Sequence, residues 1–389
     1  MKRLAQWIGL GAVSGVLSGL ASAAFLWSLD RATEFRLGHE FLVYLLPVAG
    51  LLIGLAYARW GTPIKDGTSL VIVRQREGGP EIPLRVAPMV LVGTVLTHLF
   101  GGSAGREGTA VQMGASLTDF VSHRLKLDAE LRRHLIAAGV AGGFGSVFGT
   151  PFAGALFAME FVVVGRVQWV TVVPCVVAAF VGDLTTRGLG IGHTAYPQVA
   201  ALEPTLLVVG KWLLFALAIF AAAVAFIELT KRIKALKLPL PAKMVGAGVV
   251  VVAIWQVFDA DDALGLGVPT IVRAFGDPQL PQTLFLLKLV LTAVTVGAGF
   301  VGGEVTPLFF IGATLGNVLA RTLGLPLELG VGVGMAAVFA VCSNAPLALS
   351  VMAIELLGWS VAPHVLLVCA VTQLLNRGRR SIYSAQVVK

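Results

Sequence analysis

The sequence predicts an all-α polytopic membrane protein, from its composition and from the length of its apolar runs. Of the 389 residues, 57% are hydrophobic and 13% are charged, and the mean hydropathy of +0.87 lies well above that of soluble globular domains. Apolar runs recur from residues 4–29 to residues 361–375. Crossing a hydrocarbon core takes about 20 residues, so these runs are of the length that spans a membrane.

The apolar runs occupy nearly the whole chain. We therefore expect a single transmembrane transport domain over residues 1–389, with halves at about 4–200 and 201–389 and no cytoplasmic regulatory domain. The first apolar run, of about 25 residues, exceeds the usual core of a secretory signal, so we interpret it as a retained helix. The predicted location is the bacterial inner (cell) membrane, crossed several times.

Positive charge is concentrated in short clusters between the apolar runs. The net charge is +8, and the lysines and arginines cluster at Lys2-Arg3, Arg132-Arg133, residues 231–243 and residues 377–380. This is the positive-inside pattern, which favours cytoplasmic termini in a lipid bilayer and gives no reason to expect a nucleic-acid partner.

The cysteines and histidines argue against a metal site or an enzyme. Cys175, Cys342 and Cys369 lie in apolar segments at unrelated spacings, which predicts buried free thiols. The histidines form no pair at metal-ligand spacing, and no Walker or dinucleotide motif is present. We expect no metal, no cofactor and no enzymatic activity.

An internal repeat divides the chain, at a separation of nearly 200 residues. Glycine- or proline-containing turns at matching places in two halves are typical of transporters whose discontinuous helices meet near the membrane midplane. The pattern alone leaves open whether the halves are parallel or inverted. The three pairs, in the same order in both halves, are residues 105–117 with 303–315, residues 150–161 with 345–356, and, more weakly, residues 72–74 with 271–273.

Glu107 is the main candidate for function, because it lies among glycines directly before an apolar helix in Gly105-Arg-Glu-Gly-Thr109. A helix N-terminus has unpaired N–H groups and a partial positive charge, so it can hold an anion through the backbone. Glu107 would then be a tethered anion that leaves the site by taking a proton. The alternative is an ion pair with Arg106, which adjacent residues seldom form on a helix but can form in a loop.

Glu304 and Thr306 lie at the matching helix start of the second half, in Gly303-Glu-Val-Thr-Pro307. Two interpretations remain open for Glu304. It could act only as a helix cap, worth about 0.3–1 kcal/mol, or it could handle protons while the Thr306 hydroxyl binds the anion.

Three further side chains have structural explanations. Glu160 and Glu355 end apolar runs in both halves, which predicts a symmetric structural role or a water-facing helix end. Tyr383 lies in a basic tail, where an interfacial anchor is the ordinary role of a tyrosine.

Three motifs resemble those of the CLC family of chloride channels and anion/proton exchangers. They lie at residues 105–108, 303–307 and 382–385, in the family's order, and the resemblance covers nearly the full length of the chain. The resemblance implies an inverted two-fold repeat of two halves, a homodimer with one pore per subunit, and Glu107 as the gating glutamate and proton shuttle. Glu304 would be a second proton- or ion-handling acid. The implied anion pathway comprises Thr68, Gly105, Arg106, Gly108, Val305, Thr306 and Tyr383.

Where the sequence departs from the chloride-transporting members, it is similar to the fluoride/proton antiporters of this family. Thr109 replaces the usual proline, Thr68 a serine and Val305 a phenylalanine, and Phe161 stands where chloride exchangers have an internal proton-transferring glutamate. The resemblance implies a secondary transporter that exchanges fluoride for protons and exports fluoride from the cytoplasm. The alternatives are a chloride/proton exchanger of the same fold and a passive chloride channel of the same fold, and Phe161 favours the passive channel.

Overall fold

The computed structural model describes residues 2–203 and 205–388, which form sixteen α-helices. The all-α prediction is confirmed. The helices are α1 (Lys2–Leu37), α2 (Leu46–Trp60), α3 (Thr68–Glu77), α4 (Val86–Leu99), α5 (Glu107–Arg124), α6 (Ala129–Phe148), α7 (Pro151–Glu160), α8 (Val172–Gly188), α9 (Leu206–Lys234), α10 (Leu240–Phe258), α11 (Val268–Ala274), α12 (Leu284–Ala298), α13 (Val305–Leu323), α14 (Leu327–Ser343), α15 (Pro346–Leu357) and α16 (Ala362–Asn376).

Helix length separates spanning helices from half-spanning ones. Within the described ranges, six helical segments are long and apolar enough to cross a membrane, and they include α1, α2, α8, α9, α10 and α16. By contrast, α3 and α7 have 10 residues each and α11 has 7. At 1.5 Å per residue these reach about 15 Å or less, roughly half of a hydrocarbon core. The predicted discontinuous helices are therefore present.

Helices α7 and α15 reveal how the two halves are related. The Glu160 carboxylate, at the end of α7, accepts hydrogen bonds from the N–H groups of Leu347 (3.1 Å) and Ala348 (2.8 Å) at the start of α15. Reciprocally, Glu355 of α15 accepts hydrogen bonds from two N–H groups in the first turn of α7, at 3.0 and 2.7 Å. Reciprocal contacts between antiparallel equivalents require a two-fold axis across the helices. The repeat is therefore inverted, and the structural role predicted for Glu160 and Glu355 is confirmed.

Glycines allow equivalent helices of each half to pack closely. A Cβ atom at Gly114 of α5 would lie 2.2 Å from the carbonyl oxygen of Gly139 on α6. In the second half, a Cβ atom at Gly312 of α13 would lie 2.1 Å from the carbonyl oxygen of Gly334 on α14. Any larger residue would separate these helices. The three cysteines are buried and free, as predicted.

The segment after α16 turns back into the protein. Arg377 and Gly378 have positive φ values of 48° and 67°, and the chain then runs beside the C-terminal end of α14. A short parallel pair joins β1 (Val163–Val164) to β2 (Val387–Val388). This return brings the tail to the interior, next to the helix starts described below.

Candidate functional site

The starts of α5 and α13 are joined across the two-fold axis. The N–H of Gly105 donates to the carbonyl of Gly303 at 2.5 Å, and the N–H of Gly303 donates to the carbonyl of Gly105 at 2.7 Å. A Cβ atom at Gly105 would lie 2.9 Å from the Gly303 oxygen and 2.9 Å from a Pro307 side-chain carbon, so glycine is required here. Two positively polarised helix N-termini therefore converge near one point, which suits an anion.

The carboxylate of Glu107 occupies the N-terminus of α13, the helix of the other half. Its Oε2 accepts hydrogen bonds from the N–H groups of Thr306 at 3.1 Å and Arg106 at 3.2 Å. Its Oε1 accepts a hydrogen bond from the Thr306 hydroxyl. Only 1% of the Glu107 side chain is exposed. A side chain of α5 thus satisfies donors that a free anion would otherwise bind.

Arg106 also lies beside this carboxylate. Its Nε is 3.6 Å from Glu107 Oε1, so the ion pair that was considered as an alternative coexists with the helix-terminus contact. Both residues line a small cavity together with Thr306, Phe148 and Phe309. The cavity volume is about 10 Å³, roughly that needed for one water-sized species. Glu107 therefore faces a space that admits a small ion.

Thr68 and Glu304 lie on another side of the helix starts, next to Gly108. A Cβ atom at Gly108 would lie 3.8 Å from the Thr68 hydroxyl oxygen and 3.9 Å from Glu304 Oε2. Glu304 occupies the N-cap position of α13, but its side chain makes no capping hydrogen bond. The Glu304 side chain therefore does not cap α13 by a hydrogen bond. Val305, the next residue, is buried.

Tyr383 is buried, with 5% of its surface exposed, so the interfacial-anchor interpretation is wrong. Its ring meets that of Phe161 edge-on, with centroids 6.0 Å apart. Backbone hydrogen bonds explain the burial: the N–H of Ile382 donates to Cys342 O at 2.9 Å, and the Gln386 amide donates to Ser343 O at 2.6 Å. Among the residues described, Tyr383 lies outside the hydrogen-bonded group around Glu107.

Comparison with known proteins identifies the family. The sequence model of the voltage-gated chloride channel family matches residues 49–377. The chain belongs to the CLC family. A relative from Pseudomonas syringae pv. tomato, described as a chloride/fluoride channel protein, is 44% identical over 396 residues, which cover 99% of this chain and 87% of the relative.

Solved CLC structures agree with the fold. The crystal structure of a CLC-type fluoride/proton antiporter superimposes with a TM-score of 0.95 at 34% identity, covering 99% of this chain and 98% of that one. A slow cyanobacterial Cl⁻/H⁺ antiporter matches with a TM-score of 0.83 at 20% identity, covering 97% and 96%, which supports the fold alone. The expected resemblance to the fluoride/proton branch is thereby confirmed as a likeness of sequence and structure.

A row of aromatic rings that includes Phe161 connects the cavity beside Glu107 to Tyr383. Phe161 is fully buried and stacks on Phe157 at 4.7 Å. Phe157 stacks on Phe144 at 4.6 Å, and Phe144 lies 4.8 Å from Phe148, which lines the cavity beside Glu107. The row therefore runs from that cavity to Tyr383, and it contains no group that can carry a proton.

Sequence reasoning missed Gln112, which lies near the candidate site. The Gln112 side-chain amide donates to Gly108 O at 3.0 Å and lies 3.8 Å from the position of a Cβ atom at Gly67. Gln112 thus connects α5 to the turn before Thr68, and its place one helical turn after Gly108 was the available signal. Thr109, which the sequence analysis had singled out, forms a hydrogen bond of 2.6 Å with Thr94 of α4.

Proposed function

We propose that this CLC protein exchanges fluoride for protons across the membrane and exports fluoride from the cytoplasm. The observation that carries the proposal is the Glu107 carboxylate, held at the N-terminus of α13 by the N–H and the hydroxyl of Thr306. The relatives described as a chloride/fluoride channel protein and as a fluoride/proton antiporter support the choice of ions.

Glu107 acts as the gate because it and the transported anion compete for the same donors. The anion can bind at the α13 N-terminus only when the carboxylate leaves it. Protonation removes the negative charge that holds the side chain there, and thereby favours its release. One side chain then couples the two ions, since it releases the site when it takes up a proton.

Fluoride fits the donors that surround this position. It is small and strongly hydrated, so a site must replace its water with short, strong hydrogen bonds. Thr306 offers a hydroxyl and an N–H, while Thr68 and Tyr383 offer further hydroxyls along the pathway. The cavity beside Glu107, of about 10 Å³, is of the size of a water molecule and therefore of a fluoride ion.

Glu304 is the second acid of the proposed proton route. Phe161 is buried at the position of the internal acid of chloride exchangers, and its ring cannot carry a proton. Glu304 lies beside Gly108 and makes no capping bond. In the proposed route, its carboxylate exchanges protons with Glu107.

The exchange would be strongly driven by the membrane potential. Fluoride leaving and a proton entering move charge in the same direction, so a one-for-one exchange gains about 4.6 kcal/mol per 100 mV, twice the single-charge value. Export of a toxic anion against its gradient needs such a drive.

A passive chloride channel of the same fold is the second candidate. It is favoured by Phe161 and by the Pseudomonas relative, which is described as a channel protein. Liposomes containing the purified protein separate the two candidates when a fluoride electrode, a chloride electrode and an internal pH dye are read together. We expect a fluoride gradient to drive protons against their own gradient, and chloride to do so far less. Equal fluxes of the two anions would overturn the fluoride assignment, and fluoride flux without proton movement would overturn the exchange.

We further propose a homodimer with one pore per subunit, in the bacterial inner membrane, with cytoplasmic termini and one membrane domain over residues 1–389. The CLC fold and the clusters of Lys and Arg between spans support this arrangement. Chemical cross-linking in native membranes would test the dimer.

A further inference from the structure

An apolar groove lies between α2 and α4, and it shares no lining residue with the cavity beside Glu107. Its volume is about 360 Å³, within the range of sites that hold small-molecule ligands. Six of its lining residues are Leu52, Ile53, Trp60, Met89, Val92 and Leu96. Leu52, Trp60 and Val92 are more than half exposed, and α2 is part of a membrane-spanning segment, so the groove opens towards the lipid.

Cationic side chains surround one end of this groove. Arg59 is in the last turn of α2, Lys65 is in the turn that follows, and Arg85 directly precedes α4. All three are exposed. Arg85 donates to the carbonyl of Thr62 at 2.8 Å, which fixes its guanidinium beside this turn. With Asp66 in the same turn, the net charge of the rim is three minus one, or +2.

We propose that this groove binds an anionic phospholipid, with one acyl chain between α2 and α4 and the phosphate on the cationic rim. An acyl chain is the occupant that matches an apolar, lipid-facing groove. A net positive rim at the groove's end selects an anionic headgroup, because Lys and Arg near a membrane surface attract anionic lipids. The bound lipid clamps the start of α4 to the end of α2. These helices precede α5 and α3, which carry Glu107 and Thr68.

Trp60 lines the groove and allows its occupant to be detected by fluorescence. The protein is reconstituted in phosphatidylcholine liposomes that contain a small fraction of either phosphatidylglycerol or phosphatidylcholine with brominated acyl chains, since bromine quenches a tryptophan that it touches. The chain has seven tryptophans, so the signal of Trp60 is the difference between the wild type and Trp60→Phe. We expect brominated phosphatidylglycerol to quench this signal at a much lower fraction than brominated phosphatidylcholine.

Variants that remove charge test whether the cationic rim causes the preference for phosphatidylglycerol. In Arg59→Gln/Lys65→Gln, the preference for phosphatidylglycerol should fall by roughly 30-fold, the effect of removing two cations near an anionic lipid. Arg166→Gln/Arg377→Gln removes the same charge from exposed positions on segments that do not pack on α2 or α4 and should keep the preference.

Three results would overturn the proposal. Equal quenching by both brominated lipids in the wild type would mean that the groove holds bulk lipid without selection. An unchanged preference for phosphatidylglycerol in Arg59→Gln/Lys65→Gln would mean that the cationic rim does not select the lipid. No quenching of Trp60 by either lipid would mean that protein, such as a second copy of the chain, covers the groove.

Discussion

Replacing Glu107 by glutamine tests the competition between the side chain and the anion. The carboxylate accepts hydrogen bonds from two N–H groups and one hydroxyl, and the Arg106 Nε lies 3.6 Å away. The amide of Gln has almost the same size, but it carries no charge and presents an NH₂ group to donors. The variant should therefore fold, yet hold the α13 N-terminus less tightly than the wild type does.

The size of the effect follows from these contacts. A hydrogen bond to a charged group contributes about 1.5–3 kcal/mol and a neutral one about 0.5–1.5 kcal/mol, a difference of about 1 kcal/mol per bond. Three bonds give about 3 kcal/mol, so the competition shifts towards a free anion by roughly 150-fold. The amide also cannot titrate, so coupling to protons is lost.

Liposomes loaded with a pH dye and read with a fluoride electrode measure both consequences. We expect Glu107→Gln to abolish fluoride-driven proton movement, whether fluoride still moves through an open pathway or is blocked. Glu355→Gln is the matched control, because Glu355 also accepts two N–H hydrogen bonds at a helix start. It should lower stability and keep coupling. Full fluoride-driven proton transport by Glu107→Gln would refute the gate and require a proton path that avoids it.

The remaining predictions concern Glu304 and Thr306 of the candidate site, and the stability contributed by one buried lysine, Lys288. Glu304→Gln should reduce the number of protons moved per fluoride more than it reduces protein yield, and a wild-type coupling ratio would return Glu304 to a structural role. Thr306→Val removes the hydroxyl that donates to Glu107 and that, in the proposed exchange, binds fluoride once the protonated Glu107 side chain has left. The fluoride concentration for half-maximal transport should therefore rise by roughly tenfold or more, whereas Thr306→Ser should stay close to wild type. Lys288→Met should lower the melting temperature in detergent, because the fully buried Nζ donates to Ala263 O at 3.0 Å and Gly265 O at 2.6 Å and each carbonyl left unpaired costs about 1–3 kcal/mol. An unchanged melting temperature would contradict this account of Lys288.

The helix starts could be predicted from the sequence because their determinants are local. Glycines before Glu107, and Pro307 in the first turn of α13, specify where these helices begin whatever surrounds them. The location of the Glu107 carboxylate could not be predicted in this way. It lies on the N-terminus of a helix that begins almost 200 residues later, and only the Gly105–Gly303 pairing brings that terminus to it.

The burial of Tyr383 had no local signal either. A basic stretch after the last apolar run is typical of a tail in water. The tail instead returns to the interior because polar groups at the end of α14, including Cys342 O and Ser343 O, accept its hydrogen bonds. These partners lie about 40 residues away in the sequence, so the motif at residues 382–385 indicated the role of Tyr383 only through the resemblance to a family.

The inverted repeat places opposite charges at equivalent positions, and the proposed exchange depends on this difference. Pairing Gly105 with Gly303 aligns Arg106 with Glu304 and Glu107 with Val305. Arg106 lines the cavity beside the carboxylate, whereas Glu304 lies beside Gly108. In the proposed exchange Arg106 attracts the anion and Glu304 carries the proton. Val305 cannot enter the site as Glu107 does. A symmetric scaffold therefore places Arg106 and Glu304 at equivalent positions around Glu107, and in the proposed exchange the anion and the proton approach Glu107 from different sides.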